Sequence, residues 1–291
     1  MAAGGSAGAA NANLGGADGI AGSGAGALGG SSGSSAAPDS ACAEHPTPQR
    51  TQGTALSLSI EPVLAAKPFV FGAPNALPDG GSVVPSNFRF YVSAVQLLRS
   101  SGDPVAVDLV TAAGEPEPYG VHLFTADDDD TTKLRVLAPA GEYTGVSFAL
   151  GIKLACNKPF PGDMAEPLTV TSQMTWPAAG YLYLRYEALN TPAEGSASTG
   201  KVPPAVHMGG SVVTELVPRV TVSGPLSVPA SGTLVKSLQL SMDEIFAGAT
   251  ADIDVSKTEG LDPGLLSEDA VVAGERLRQE LPKRPVFSFG P

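Results

Sequence analysis

The chain has 291 residues, of which 29 are acidic and 17 basic, a formal charge of -12. That balance repels nucleic acid and anionic membrane surfaces, so neither is expected as a partner. Gly at 35 and Pro at 26, with 43% hydrophobic residues, suit many short strands joined by turns better than long helices.

Residues 1–40 are almost entirely Gly, Ala, Ser and Asn, with Asp18 and Asp39 as their only charges. Such a segment cannot bury enough apolar area to offset its ordering entropy. Residues 1–50 are therefore expected to be a low-complexity disordered tether, and 51–291 a single domain. The tether contains Gly24-Ala25-Gly26-Ala27-Leu28-Gly29, a formal dinucleotide fingerprint that lacks the preceding strand and following helix. It is compositional noise. The first basic residue is Arg50, so no secretory signal is visible, although Gly/Ala/Ser arms of this kind follow the processing site of many exported proteins. No stretch reaches the roughly 18 apolar residues that span a bilayer, so no transmembrane segment is expected. Cys42 falls in the arm and Cys156 in the body of the chain; this does not indicate a structural disulfide framework and leaves a single bridge open.

Alternation begins at Leu56, Leu58 and Ile60, predicting a strand over 55–61. Pro62, Pro68, Pro74 and Pro78 then punctuate a long irregular connection. Phe88 to Leu98 is apolar on both parities, as in a strand covered on both faces, with Val105 to Val110 its expected hairpin partner. Tyr119 to Phe124 is a short strand candidate, ended by Asp127 to Asp130. Four adjacent aspartates point in different directions and lack the Gly and distal Glu of a calcium loop, so they predict a solvated acidic turn.

Leu134 to Leu137, a turn over Pro139 to Gly145, and Val146 to Ile152 predict strand, turn, strand. Further strands are expected at 206–208, 212–222 and 233–242, with a polar loop at Gly195 to Gly200. Ala270, Ala273, Leu277 and Leu281 recur at helical spacing up to Pro282. The sum is an all-β antiparallel β-sandwich, immunoglobulin-like or Greek-key, with a short C-terminal helix.

Among known chemistries, Gly-x-Ser-x-Gly occurs only inside the low-complexity arm, Gly195 to Lys201 spells Gly-x-x-x-x-Gly-Lys but is followed by Val202 in place of Ser or Thr, and no His-Glu-x-x-His occurs, which leaves common hydrolase and nucleotide chemistry without support. The chain is not expected to be an enzyme. Its three histidines are His45, His122 and His207, and its single tryptophan is Trp176. A lone Trp ahead of a turn and strand, then a His at the next strand, places an oxidisable ring beside an imidazole on one view. On the other, Trp176 fills the core and His207 is a hydrogen-bonded strand residue. One or two imidazoles with a soft donor suit copper better than the hard cations, and Met174, Met208 and Cys156 are candidate soft atoms.

Taken in series, four stretches resemble the MbnP-like family. They are Phe88 to Leu97, Gly141 to Gly151, Met174-Thr175-Trp176 with Gly180-Tyr181-Leu182-Tyr183, and His207-Met208-Gly209-Gly210. The family comprises copper-binding partners of di-haem cytochrome c peroxidase-like proteins, first associated with methanobactin operons. The resemblance covers roughly residues 55 to 285. It implies a periplasmic, cell-surface or secreted β-sandwich that binds one copper ion and whose tryptophan is oxidised to kynurenine by the di-haem partner. By position it makes Trp176 the candidate for modification, His207 the candidate imidazole ligand and Glu187 an acidic site residue; His122, which the resemblance does not assign, is a candidate donor to compensate for family ligands missing here. The second tryptophan, the Asn-His pair and the first-strand histidine of many members have no counterpart here. The alternative is a metal-free surface, adhesion or scaffold sandwich that has lost the ligands.

Overall fold

A computed structural model of the chain describes residues 42–48, 52–157, 164–176, 180–196, 202–209, 217–250 and 268–291. Of the tether expected over 1–50, all but residues 42–48 lie outside these residues, as do the Gly24 to Gly29 motif and the first part of the strand expected at 212–222. Ser40–Pro291 fall into one compact unit.

In chain order the strands are β1 (Thr54–Leu64), β2 (Lys67–Pro68), β3 (Asn75–Ala76), β4 (Ser82–Leu98), β5 (Val105–Ala106), β6 (Asp108–Leu109) and β7 (Val121–Thr125). They continue with β8 (Lys133–Ala138), β9 (Gly141–Leu150), β10 (Thr175–Trp176), β11 (Gly180–Thr191), β12 (Ala205–Gly209), β13 (Arg219–Val228) and β14 (Thr233–Ser241). Two helices follow, α1 (Met242–Ala249) and α2 (Glu268–Glu280), and β15 (Phe287–Phe289) closes the chain. One sheet runs β15-β14-β1-β8-β6, with β2 beside β1. The other runs β10-β11-β4-β9-β13, with β12 on β11 and β3, β5 and β7 on β4. The architecture is the expected mostly antiparallel β-sandwich.

Aromatic side chains join the two sheets. Phe287 of the first sheet meets Phe148 at 5.1 Å and Phe90 at 6.1 Å, both of the second and both edge-on, and within the second sheet Phe90 stacks on Phe124 at 4.4 Å. Tyr186 packs on Phe246 of α1 at 5.1 Å. The even-numbered residues Phe88, Phe90, Leu184 and Tyr186 are thus on the face of the second sheet that turns to the core. Because side chains alternate along a strand, Arg89, Tyr91, Arg185 and Glu187 are on the face that turns away.

Several local expectations change. The strand at 55–61 continues through Pro62 to Leu64 and pairs in parallel with β14, the parallel partnership of an otherwise antiparallel set. Val105 to Val110 does not form one hairpin arm. β5 pairs with β4, whereas β6 pairs with β8 in the other sheet, so the chain crosses the sandwich at Val107. The strand, turn and strand over 134–152 are present, but β8 and β9 belong to different sheets. The short connection is a sandwich corner, which alternation alone does not distinguish from a hairpin.

The strand expected to reach 242 stops at Ser241, whose side chain accepts from Glu244 N–H at 3.3 Å and starts α1. Met242, Ile245, Phe246 and Ala249 are buried at helical spacing, and Asp243 with Glu244 suits the positive end of the helix. The C-terminal helix holds as α2, with Ala273 and Leu277 buried in its stripe and Leu281 buried in the 3-10 turn that follows it. Asp127 to Asp130 form a turn, as expected. Among the described residues, no helix is long and apolar enough to cross a membrane.

Cys42 and Cys156 form a disulfide, with Cα atoms 4.8 Å apart across 114 residues. The open alternative of a single bridge is the one realised, because the Tyr119 N–H donates to Glu44 O at 3.1 Å and seats the 42–48 segment on the domain.

Candidate metal centre on the outer sheet face

The segment Gly180-Tyr-Leu-Tyr-Leu-Arg-Tyr-Glu-Ala alternates two kinds of residue. Leu182, Leu184, Tyr186 and Ala188 take the core face, and Tyr181, Tyr183, Arg185 and Glu187 take the other. All but Arg185 are buried. Two charged residues of the same parity in a strand covered on both sides must find partners on that face, since burying an unpaired charge is costly.

Register supplies those partners. Arg185 lies opposite Arg89 of β4 and opposite His207 of β12, and Glu187 lies opposite Asn87 and Ala205. Directly opposed residues share a face. One transverse row therefore reads Arg89, Arg185, His207, and the next reads Asn87, Glu187, Ala205. His207 Nε2 lies 2.9 Å from Glu187 Oε1. Arg185 Nε donates to Glu187 Oε1 at 2.9 Å and Nη2 donates to Oε2 at 3.1 Å, a bidentate pair.

The opposed guanidinium groups would repel. Arg185 Nη1 donates to Gln173 O at 2.7 Å, and Arg89 Nη1 to Ser172 O at 2.9 Å. Gln173 sits at φ 59°, in the left-handed region. The segment 164–176 is bound to the same face by Tyr91 Oη, which donates to Pro167 O at 3.0 Å, and by Tyr181 Oη, which donates to Leu168 O. Burial pushes the Tyr91 phenol well above its usual range and the Tyr181 phenol up to about 12, so both remain hydrogen-bond donors.

His207 is 2% exposed and Glu187 8%. Burial pushes the Glu187 carboxyl up, but the hydrogen bonds from His207 and Arg185 outweigh it and hold the group below its usual range. An anionic Glu187 accepts the proton on Nε2, and the tautomer protonated there carries its lone pair on Nδ1. That Nδ1 atom is buried and has no hydrogen-bond partner. With Asn87 Oδ1 it is one of two orphaned polar atoms in these rows, and an imidazole lone pair is what a borderline or soft metal takes. That atom offers a metal ion one nitrogen donor. Among the described residues no group of three His, Cys, Asp or Glu side chains converges.

The other candidates are placed as follows. His122 lies opposite Val92 in the β4–β7 pair, so it takes the core-side parity, opposite to His207. Its Nδ1 is 3.2 Å from Glu117 Oε1, and Nε2 donates to Thr131 O at 2.8 Å. His122 and His207 therefore do not meet. Trp176 closes the β10–β11 hairpin opposite Gly180, five residues along β11 from Arg185, roughly 17 Å at about 3.3 Å per residue. Its side chain lies outside the described residues. Cys156 is bound to Cys42 and offers no thiolate, which removes it as a soft donor. Met208 is buried opposite Leu184, on the face away from His207, and His45 is exposed.

Arg185, Arg89, Gln173 and Ser172 escaped the sequence reading as site residues. The signal was present in Arg185-x-Glu187, two like-parity charges within a run of tyrosine and leucine. A carboxylate next to a tryptophan motif draws attention as a ligand, and the arginine that consumes it does not.

A comparison with curated proteins found no match. Among solved structures, the chain is similar to MbnP from Methylosinus trichosporium, with 18% identity and a TM-score of 0.50 over 81% of this chain and 98% of that one. That likeness shows the fold. The MbnP family profile matches residues 53–264, which takes in β1, the residues Arg185, Glu187 and His207, and α1. The chain belongs to the MbnP family.

Proposed function

We propose that this chain is an exported, non-enzymatic copper-binding protein in which His207 supplies an imidazole donor. The observation that carries the reading is the buried His207 ring, with one nitrogen held by Glu187 and the other without a partner. Membership of a family associated with methanobactin-related copper systems supports copper as the ion. The Cys42–Cys156 disulfide supports a periplasmic, cell-surface or secreted location, because such bridges persist in oxidising compartments.

The remaining part of the proposal concerns Trp176. By family resemblance, a di-haem peroxidase-like partner oxidises the indole to kynurenine. Two equivalents of peroxide open the ring between C2 and C3 to the N-formyl ketone and leave as two waters, and one water then hydrolyses the formyl group, so that C2 leaves as formate and an aryl ketone and an aniline remain. The modified residue stands at the hairpin end of β11, roughly 17 Å along the strand from the row of His207. Peptide mass analysis of protein from a host carrying the partner is expected to show a loss of one carbon and a gain of one oxygen at Trp176. Unmodified Trp176 under those conditions defeats this part.

Metal analysis after dialysis tests the first part. Wild type is expected to retain stoichiometric copper and His207→Ala to lose it. A second reading, a metal-free scaffold sandwich, is favoured by the lack of a three-residue donor group among the described residues. It predicts no stoichiometric copper in either protein.

A further inference from the structure

Glu187 has the residue type of a metal ligand, but the geometry gives its oxygens other work. Oε1 accepts from both Arg185 Nε and His207 Nε2, and Oε2 accepts from Arg185 Nη2. A fork-and-carboxylate pair of this kind is directional, and a lysine ammonium in the same place does not reproduce it. Arg185 is in turn anchored through Nη1 on the carbonyl of left-handed Gln173. The chain of contacts runs Gln173 carbonyl, Arg185 guanidinium, Glu187 carboxylate, His207 imidazole, and it ends at the one ring nitrogen that has no partner.

We propose that His207 binds metal through Nδ1, and that Glu187, clamped by Arg185, is a positioning residue and not a ligand. The assignment rests on the copper-binding reading above and adds the donor atom and the groups that orient it. A carboxylate that accepts from one imidazole nitrogen fixes the tautomer, holds the ring plane and raises the basicity of the other nitrogen. A buried nitrogen left empty is costly, whereas a bound cation satisfies it. On the opposite side of the strand, Gly274 of α2 stands so close that a Cβ there would meet His207 O at 1.9 Å. The helix therefore holds the β12 backbone at His207 from the edge while Glu187 holds its ring.

Long-range proton–nitrogen correlation spectra of the nitrogen-labelled full chain, without metal and with anaerobic Cu(I), test the assignment. The metal-free spectrum is expected to show His207 protonated on Nε2, and Cu(I) is expected to shift Nδ1. Glu187→Gln is expected to weaken Cu(I) binding about 10- to 100-fold. Arg185→Lys, which leaves both Glu187 and His207 in place, is expected to weaken it in the same direction with the metal-free fold retained. A metal-free ring protonated on Nδ1, a copper-induced shift confined to Nε2, or unchanged Cu(I) affinity in both variants overturns the proposal. If wild type takes Cu(I) and His207→Ala does not, while Nε2 is the atom that shifts, this inference fails and the copper-binding reading stands. If wild type takes no Cu(I), the copper-binding reading fails and takes the donor assignment with it, and an Nε2-protonated ring then supports the positioning role of Glu187 alone.

Discussion

His207 Nε2 and Glu187 Oε1 meet at 2.9 Å on the outer face of the second sheet, although the two residues are 20 positions apart in the chain. The contact is diagonal across the β11–β12 ladder, between the row of Arg185 and the row of Ala205. It decides which imidazole nitrogen keeps a lone pair, and so the site's chemistry follows from strand register.

The Glu187 carboxyl gives stability a defined pH dependence. Its folded-state value lies below the ordinary carboxylate value, so the unfolded chain binds the proton first. The contribution is fully present above about pH 5, where both states are ionised, and is lost as pH falls through the depressed folded-state value. The gap in unfolding free energy between wild type and Glu187→Gln is expected to be on the order of 1–3 kcal/mol at pH 7 and to shrink below about pH 4. A gap that widens on acidification contradicts the assignment.

His122 bridges Glu117 and Thr131 O from a buried position. His122→Ala leaves both without that partner and is expected to cost roughly 1–3 kcal/mol. Copper content, measured on the same sample, is expected to stay at the wild-type level, since His122 and His207 take opposite faces. Loss of copper together with a wild-type urea midpoint would place His122 in the metal site.

The Cys42–Cys156 bridge closes a span of 114 residues, for which chain entropy sets about 5 kcal/mol as an upper figure. Cys42→Ser is expected to lower unfolding stability by about 2–5 kcal/mol. Reductant should lower the wild-type midpoint by a similar amount and leave the variant unmoved. Equal sensitivity of both proteins to reductant would show that the bridge is not the stabilising element.

Gly274 allows α2 to lie against the His207 carbonyl, and an added methyl group would meet backbone, not a flexible side chain. Gly274→Ala is expected to destabilise by about 1–3 kcal/mol through overpacking, despite alanine's better helix propensity. The His207 ring resonances are expected to move as well. A more stable variant with an unchanged ring spectrum would show that α2 does not bear on β12 there.

Much of the architecture was written locally. Alternation at Leu56, Leu58 and Ile60 marked β1, the unbroken apolar run from Phe88 marked a strand buried on both faces, and Ala273, Leu277 and Leu281 marked α2. These patterns survive because burial on a face imposes a period of two or 3.6 whatever the partner is. Ser241 and Glu244 show the limit: a capping pair was present in the sequence, but the strand pattern ran into it and hid α1.

Pairing was not local. Nothing within Val105 to Val110 says that its two halves belong to different sheets, and nothing within 134–152 says that the turn between β8 and β9 is a corner. The motifs around Trp176 and His207 marked the family and the neighbourhood of the site. They did not reveal that Arg185 holds Glu187, or that His122 faces the other way.

By itself, the sequence determined the β-sandwich class, most strand positions and the residues with metal-binding chemistry, because side-chain type and periodicity are carried along the chain. Only the tertiary structure decided that Glu187 orients His207, that Nδ1 is the unpartnered nitrogen and that Cys42 reaches Cys156. Each of these depends on register and crossover between segments far apart in sequence, and a shift of one residue in register would turn the same side chains to the opposite face.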